Sequence, residues 1–317
     1  MLYMIVRRFL WSLIVFTLVS VVVFTLVELL PGDAATAYLG RNATPERLAL
    51  VRSELGLDRP APERFVAWVG GILHGDLGTS LSQRQPVGDL VWGRLRNSLL
   101  IGLIAAVISI PLSLLLGVIA GLNRDRWPDS ILSIISLISM SLPEFVIGTL
   151  LIFVFSLQFG LLPAVTIIDD TAPLNELLPY TILPVITLTL IICGYLLRIM
   201  RTSIIDALRS EHVQMAELKG LPALRVVLWH ALPGALLPAV TASALVLAYM
   251  IGNLVVIEAV FNYPGLGTLA LNAIQDRDLP LVQAIVLVLA GCYLLINLLA
   301  DIITFMLNPR LRTLRAG

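Results

Sequence analysis

"EHVQMAELKGLPALRVVLWHALPGALLPAV", residues 211–240, is a polar stretch set between long apolar runs. Val213, Ala216 and Glu217 fall on one side of a first short helix. Gly220-Leu221-Pro222 then ends it, the glycine as a C-terminal cap and the proline as a residue tolerated in the next helix's first turn. Leu224, Val227, Leu228, Ala231 and Leu232 recur at three- and four-residue spacing, which gives the second helix an apolar stripe suited to lie under a membrane-embedded bundle. The stretch reads as a helical hairpin at a membrane surface. The fold then depends on how many spans flank it and on which side it lies.

The composition supports the membrane. Hydrophobic residues make up 58% and charged residues 13% of the 317, against about 45–50% and about 25% in ordinary globular chains, and the mean hydropathy is +0.94. Net charge is zero, which suggests neither nucleic acid nor an acidic surface as partner. Cys193 and Cys292 lie inside apolar runs and read as small buried hydrophobes. Lys219, the single lysine, precedes its glycine, so the Gly-Lys-Ser/Thr core of a phosphate-cradling loop is absent.

A helix crossing a hydrocarbon layer about 30 Å thick needs about 20 mostly apolar residues. Six stretches qualify: 9–30, 99–122, 131–159, 180–200, 234–257 and 281–307. The first is too long for the core of a cleaved signal peptide, although Arg7 and Arg8 precede it and Ala35-Thr36-Ala37 imitates a cleavage site. Arginines in short loops mark the cytoplasmic side. Arg7, Arg8, Arg124, Arg126, Arg198, Arg201, Arg209, Lys219, Arg225, Arg310, Arg312 and Arg315 fall at alternate ends of the spans, so both termini and the hairpin are expected in the cytoplasm. The long arginine-bearing segment 31–97 translocates regardless of its charge and forms an outside subdomain, with a short helix in "TPERLALVRSELGL" and a turn at "GDLGTS". The chain divides into 1–30 (N-terminal end and span one), 31–97 (outside subdomain), 98–307 (core spans with cytoplasmic loop 201–233) and a cytoplasmic tail, 308–317.

Ala216, Gly220 and the following "LRVVLWHALPGALLPAV" resemble the EAA loop of ATP-binding-cassette importer permeases, with Glu217 at the position of the generic second alanine. "LLPGD" (29–33), "ELGLDRP" (54–60), "GDLGTS" (75–80), "SLPEF" (141–145), "IEAVFNYPGLG" (257–267), "DRDLP" (276–280) and "NPRLR" (308–312) occur in the order of the dipeptide, oligopeptide and nickel branch of that family. "RNSLL" (96–100) and "VTIIDDTAPLNE" (165–176) depart from its pattern.

The resemblance implies an all-α polytopic protein with six transmembrane helices, a type I importer permease fold and an extracytoplasmic subdomain between spans one and two, in a bacterial inner membrane. It implies a complex of this chain with a second, usually different, permease, two ATP-binding subunits and an extracytoplasmic substrate-binding protein. Those ATPases would hold ATP and magnesium, leaving this chain without cofactor or catalysis. Ala216, Glu217, Lys219, Gly220 and Leu221 would form the ATPase-coupling surface. Peptides are the expected cargo, with nickel, haem, glutathione or oligosaccharide as alternatives.

Ionisable residues inside spans cost about 2.5–3.5 kcal/mol on insertion scales and face the bundle interior or water. Glu144 with Phe145, after Pro143 in a span expected to bend there, and Glu258 are therefore candidates for the translocation pathway. A structural role is the alternative for each: a hydrogen bond to a neighbouring span for Glu144, fixing the "FNYPGLG" turn for Glu258. Asp301 is expected to pair with Arg310 or a loop arginine. His74, His212 and His230 are too dispersed to form a metal site. A self-contained secondary transporter is the rival class, but it needs an ionisable relay that these isolated carboxylates barely supply.

Overall fold

The computed structural model describes residues 2–29, 34–39, 44–54, 56–169 and 171–307. Residues 30–33 of "LLPGD", Leu55 of "ELGLDRP", Asp170 and the 308–317 tail with "NPRLR" and its arginines lie outside the described residues.

Among the described residues regular structure is helical, apart from an isolated bridge between Thr79 and Pro86. α1 (Leu2–Leu29) is the first span. Three short helices follow, α2 (Ala34–Leu39), α3 (Pro45–Glu54) and α4 (Ala61–Leu73). α3 realises the helix expected in "TPERLALVRSELGL", while α4 has no counterpart in the sequence reading. Phe65 and Trp68 of α4 pack on Phe24 at centroid distances of 5.3 and 5.8 Å, and Arg64 pairs with Glu28, so α4 rests on the far end of α1.

α5 (Val87–Leu122) begins twelve residues before the expected span, so one helix runs on from the segment that precedes it into the apolar body. α8 (Leu174–Leu208) and α13 (Leu279–Leu307) are likewise long. The fifth apolar helix runs from Ala223 to Val260: α10 (Ala223–Val226), a π-helical turn (Val227–Ala231) and α11 (Leu232–Val260).

The expected span 131–159 is a broken pair, α6 (Trp127–Ser141) and α7 (Glu144–Leu151, continued as a π-helix over Ile152–Gln158), bent by 109° at the proline where a bend was expected. The cause is local. A residue preceding proline is pushed out of the α region, and Leu142 is extended (ψ 133) with Pro143 following at ψ 146.

The core lies where α5, α8 and α11 meet, around Ile101, Leu188, Leu196 and Ile257. α5 and α8 approach until a Cβ on Gly117 would stand 2.5 Å from the Met200 Cβ, and one on Gly121 2.7 Å from the Ile204 Cγ2. In a bilayer, helix association relies on such close van der Waals packing at small residues. α1 packs along α13, where Arg8 meets Asp301 at 2.9 Å. Asp301 thus pairs within the spans, with an arginine brought beside it by antiparallel packing and not with a loop arginine.

Candidate functional site

Three polar constructions interrupt the apolar body. The first is the hairpin at its basic end. α9 (Glu211–Leu218) ends on Lys219, and Gly220 takes φ +74, the left-handed conformation that glycine adopts without a Cβ penalty. Gly220 N–H donates to the Glu217 carbonyl at 2.8 Å and Leu221 N–H to the Ala216 carbonyl at 3.4 Å, the paired bonds of a Schellman cap. Val213, Ala216, Val226 and Ala231 form a buried cluster that packs on Ala207 and Leu208 at the foot of α8.

The coupling candidates therefore split. Ala216 is buried and Leu221 half-buried in the hairpin's own core, whereas Glu217, Lys219 and Gly220 are exposed, together with Met215 and Leu218. The expected stripe does not form as one face: Leu224 and Leu228 are exposed, and Val226 and Ala231 take the buried side. The π-turn over Val227–Ala231 explains the shift, because i→i+5 winding puts residues five apart on one side. The second segment is the foot of a span and not a helix lying under the bundle. His212 Nε2 stands 3.3 Å from the His230 carbonyl, and among the described residues no three His, Cys, Asp or Glu gather as metal ligands.

The second construction caps α12 (Leu266–Gln275), a helix at the opposite end where sequence indicated only a turn. Glu258, fully buried, accepts from Ser98 Oγ (2.5 Å), Gly267 N–H (2.6 Å) and Thr268 N–H (3.4 Å). Ser98 Oγ in turn accepts from Leu266 N–H (2.8 Å), and Asn97 Nδ2 donates to the Pro264 carbonyl (2.9 Å). The orphan amides of a helix start are thus satisfied by a carboxylate, which also suits the helix dipole. A Cβ on Gly265 would enter the Glu258 carboxylate, and one on Gly267 would stand 2.5 Å from the Val255 Cα. "RNSLL" and "IEAVFNYPGLG", more than 150 residues apart, are one contact.

The third ties the segment before α5 to the start of α13. Asp278, 1% exposed, accepts from Ser80 Oγ (2.5 Å), Ser82 Oγ (2.8 Å), Ser82 N–H (3.0 Å) and Leu281 N–H (3.2 Å). Burial pushes its carboxyl up, but the hydrogen bonds from Ser80 and Ser82 outweigh it and hold the group below the usual carboxylate range. "GDLGTS" and "DRDLP" meet here. Neither Ser98 nor Asp278 with its serines stood out in the sequence, because a buried acceptor shell has no spacing signature.

Glu144 begins α7 at the bend, partly exposed, and its carboxylate has no hydrogen-bond or ion-pair partner among the described residues; Phe145 beside it is exposed. The interspan hydrogen bond held open for it is not formed. The structural role foreseen for Glu258 is present in its bonds to α12. Between α5, α11 and α13 lies a cavity of about 410 Å³, lined by apolar side chains such as Leu99, Met250, Leu254 and Ile296, with Ser98 and Glu258 at its edge.

Comparison with known proteins places this architecture. Residues 113–313 match the family model "Binding-protein-dependent transport system inner membrane component", and residues 1–99 match its N-terminal counterpart. A probable peptide ABC transporter permease of Sinorhizobium fredii is 34% identical over 308 residues, covering 97% of this chain and 98% of the relative. The glutathione transport system permease GsiC of Escherichia coli strain K12 is 35% identical over 312 residues, covering 98% and 99%. Among solved structures, the fold resembles an amino acid ABC transporter crystallised with histidines: TM-score 0.52 and 18% identity, over 70% of this chain and 94% of that one.

Proposed function

The chain belongs to the family of binding-protein-dependent transport system inner membrane components and is a permease subunit of an ABC importer; from that premise we propose that it forms half of a pathway for peptides, driven by separate ATPase subunits that grip the hairpin of the 211–233 loop. Its partners on this reading are a second permease, two ATP-binding subunits carrying ATP and magnesium, and an extracytoplasmic binding protein that delivers the cargo. The relatives' names support the cargo class: one is a peptide permease, and glutathione is itself a tripeptide.

The observation that carries the coupling role is the hairpin's two-sidedness. Its inner side is packed onto the foot of α8, while Met215, Glu217, Leu218 and Lys219 stand exposed on the other. A partner pressing on that surface displaces spans and not a loose loop. Closure of the ATPases on ATP would draw two such hairpins together and shift the spans between inward-open and outward-open arrangements, a two-state equilibrium biased by nucleotide.

Charge sets the orientation on this reading, and tryptophan marks the two interfaces. Trp11, Trp127 and Trp229 sit at the basic end and Trp68 and Trp92 at the other, the two belts that membrane interfaces favour. The basic end is the cytoplasmic one on this reading, and both termini lie there.

The test is reconstitution in liposomes with the ATPase, second permease and binding protein encoded beside the chain. ATP-dependent, vanadate-sensitive uptake of a labelled tripeptide or glutathione is expected. Uptake by this chain alone, without ATP, would make it a self-contained carrier and end the reading.

A further inference from the structure

Buried Asp129 and half-buried Arg201 form an ion pair that the pathway and the hairpin leave unused. Asp129, 3% exposed, lies in the first turn of α6; Arg201 lies on α8, seven residues before its end. Arg201 Nε donates to Asp129 Oδ1 at 2.5 Å and Nη2 to Oδ2 at 2.7 Å, the bidentate fork that fixes relative orientation as well as distance. The remaining capacity of the carboxylate is taken by Asp125 N–H (2.9 Å), within the α5–α6 turn, and by Ser133 Oγ (3.2 Å).

We propose that Asp129 and Arg201 are positioning residues that transmit movement of the hairpin in the 211–233 loop to the bent span α6–α7. This rests on the reading that ATPase subunits act on the hairpin. The hairpin's buried cluster is packed on Ala207 and Leu208, so hairpin and α8 foot move as one body. α8 then meets α6 at two polar points: this ion pair, and midway along α6 the bond from Ser136 Oγ to the Gly194 carbonyl (2.5 Å). Beyond lies the 109° bend, where Glu144 begins α7. A fork with two fixed hydrogen bonds resists sliding and rotation, whereas apolar contacts between α6 and α8 resist neither strongly.

The experiment uses the assembled complex with Cys193 and Cys292 replaced by Ala and spin labels at K219C and at S141C, each in a separate preparation, read against a reference label on the second permease subunit, across the closing interface. In the parent, trapping with ATP and vanadate shifts both distances. In D129N, which keeps the side chain's shape but loses the charge, the Lys219 shift persists and the Ser141 shift is lost. R201K, with charge but no fork, retains an intermediate shift, a gradation that a merely structural staple would not give; it also decides the matter if D129N fails to assemble. Equal Ser141 shifts in parent and variants overturn the proposal while leaving the hairpin role intact. A parent in which Lys219 does not respond to nucleotide overturns the hairpin role itself, and this proposal with it.

Discussion

Glu258 illustrates how a single buried carboxylate organises one end of the protein. Its oxygens receive a hydroxyl and two backbone amides, so deletion leaves donors without partners in an interior with little water. E258A is expected to lower stability by about 1–3 kcal/mol, measured as thermal unfolding of the detergent-solubilised protein. E258Q should lose less, because the Ser98 hydroxyl can rotate to accept from the new amide. G267A introduces a methyl against the Val255 backbone and should cost about 1–3 kcal/mol by overpacking. Glu144 differs in having no partner among the described residues, so E144Q should leave unfolding unchanged and reduce cargo uptake at equal expression. Uptake equal to that of the parent would remove Glu144 from the pathway.

Among the elements, α9 and α12 are short helices held by their ends. α9 is closed by a glycine in the left-handed region, where a Cβ costs about 1–2 kcal/mol; G220A should fray the hairpin and weaken nucleotide-stimulated transport while the spans remain folded. The segment before α5 is latched by Asp278. A carboxyl held below its ordinary range in the folded state stabilises fully above its unfolded value, near 4, and loses that contribution as pH falls through the folded value. The latch should therefore hold at neutral and mildly acidic pH and open only in stronger acid. Limited proteolysis of the 34–86 region across a pH series checks this: the parent becomes susceptible only below about pH 4, and D278N is susceptible throughout. Protection of D278N at neutral pH would contradict the latch.

At the scale of the whole molecule, three buried carboxylates bridge segments far apart in sequence: residues 80 and 278, 98 and 258, 129 and 201. They tie together spans whose apolar surfaces are otherwise interchangeable with lipid. The hairpin projects from this body at the basic end, so a membrane-impermeant reagent should label K219C in inverted vesicles and not in intact cells. Labelling of intact cells would place the hairpin outside and remove its access to ATPases.

Five of the spans, the hairpin's break at Gly220 and the helix over 45–54 were legible because each rests on local properties: twenty apolar residues, a glycine cap, a helix-start signature. The order of motifs such as "SLPEF" and "IEAVFNYPGLG" likewise carried the family. The bend at Pro143 was legible too, but its 109° angle, the π-turn that rotates Val226 and Ala231 inward, and the pairing of Asp301 with Arg8 came only from tertiary structure. So did the use of Ser98, Asp278 and Asp129 as internal anchors. A bend angle depends on what the two half-helices pack against, and the partner of a buried charge is whichever group the folded chain brings within about 3 Å.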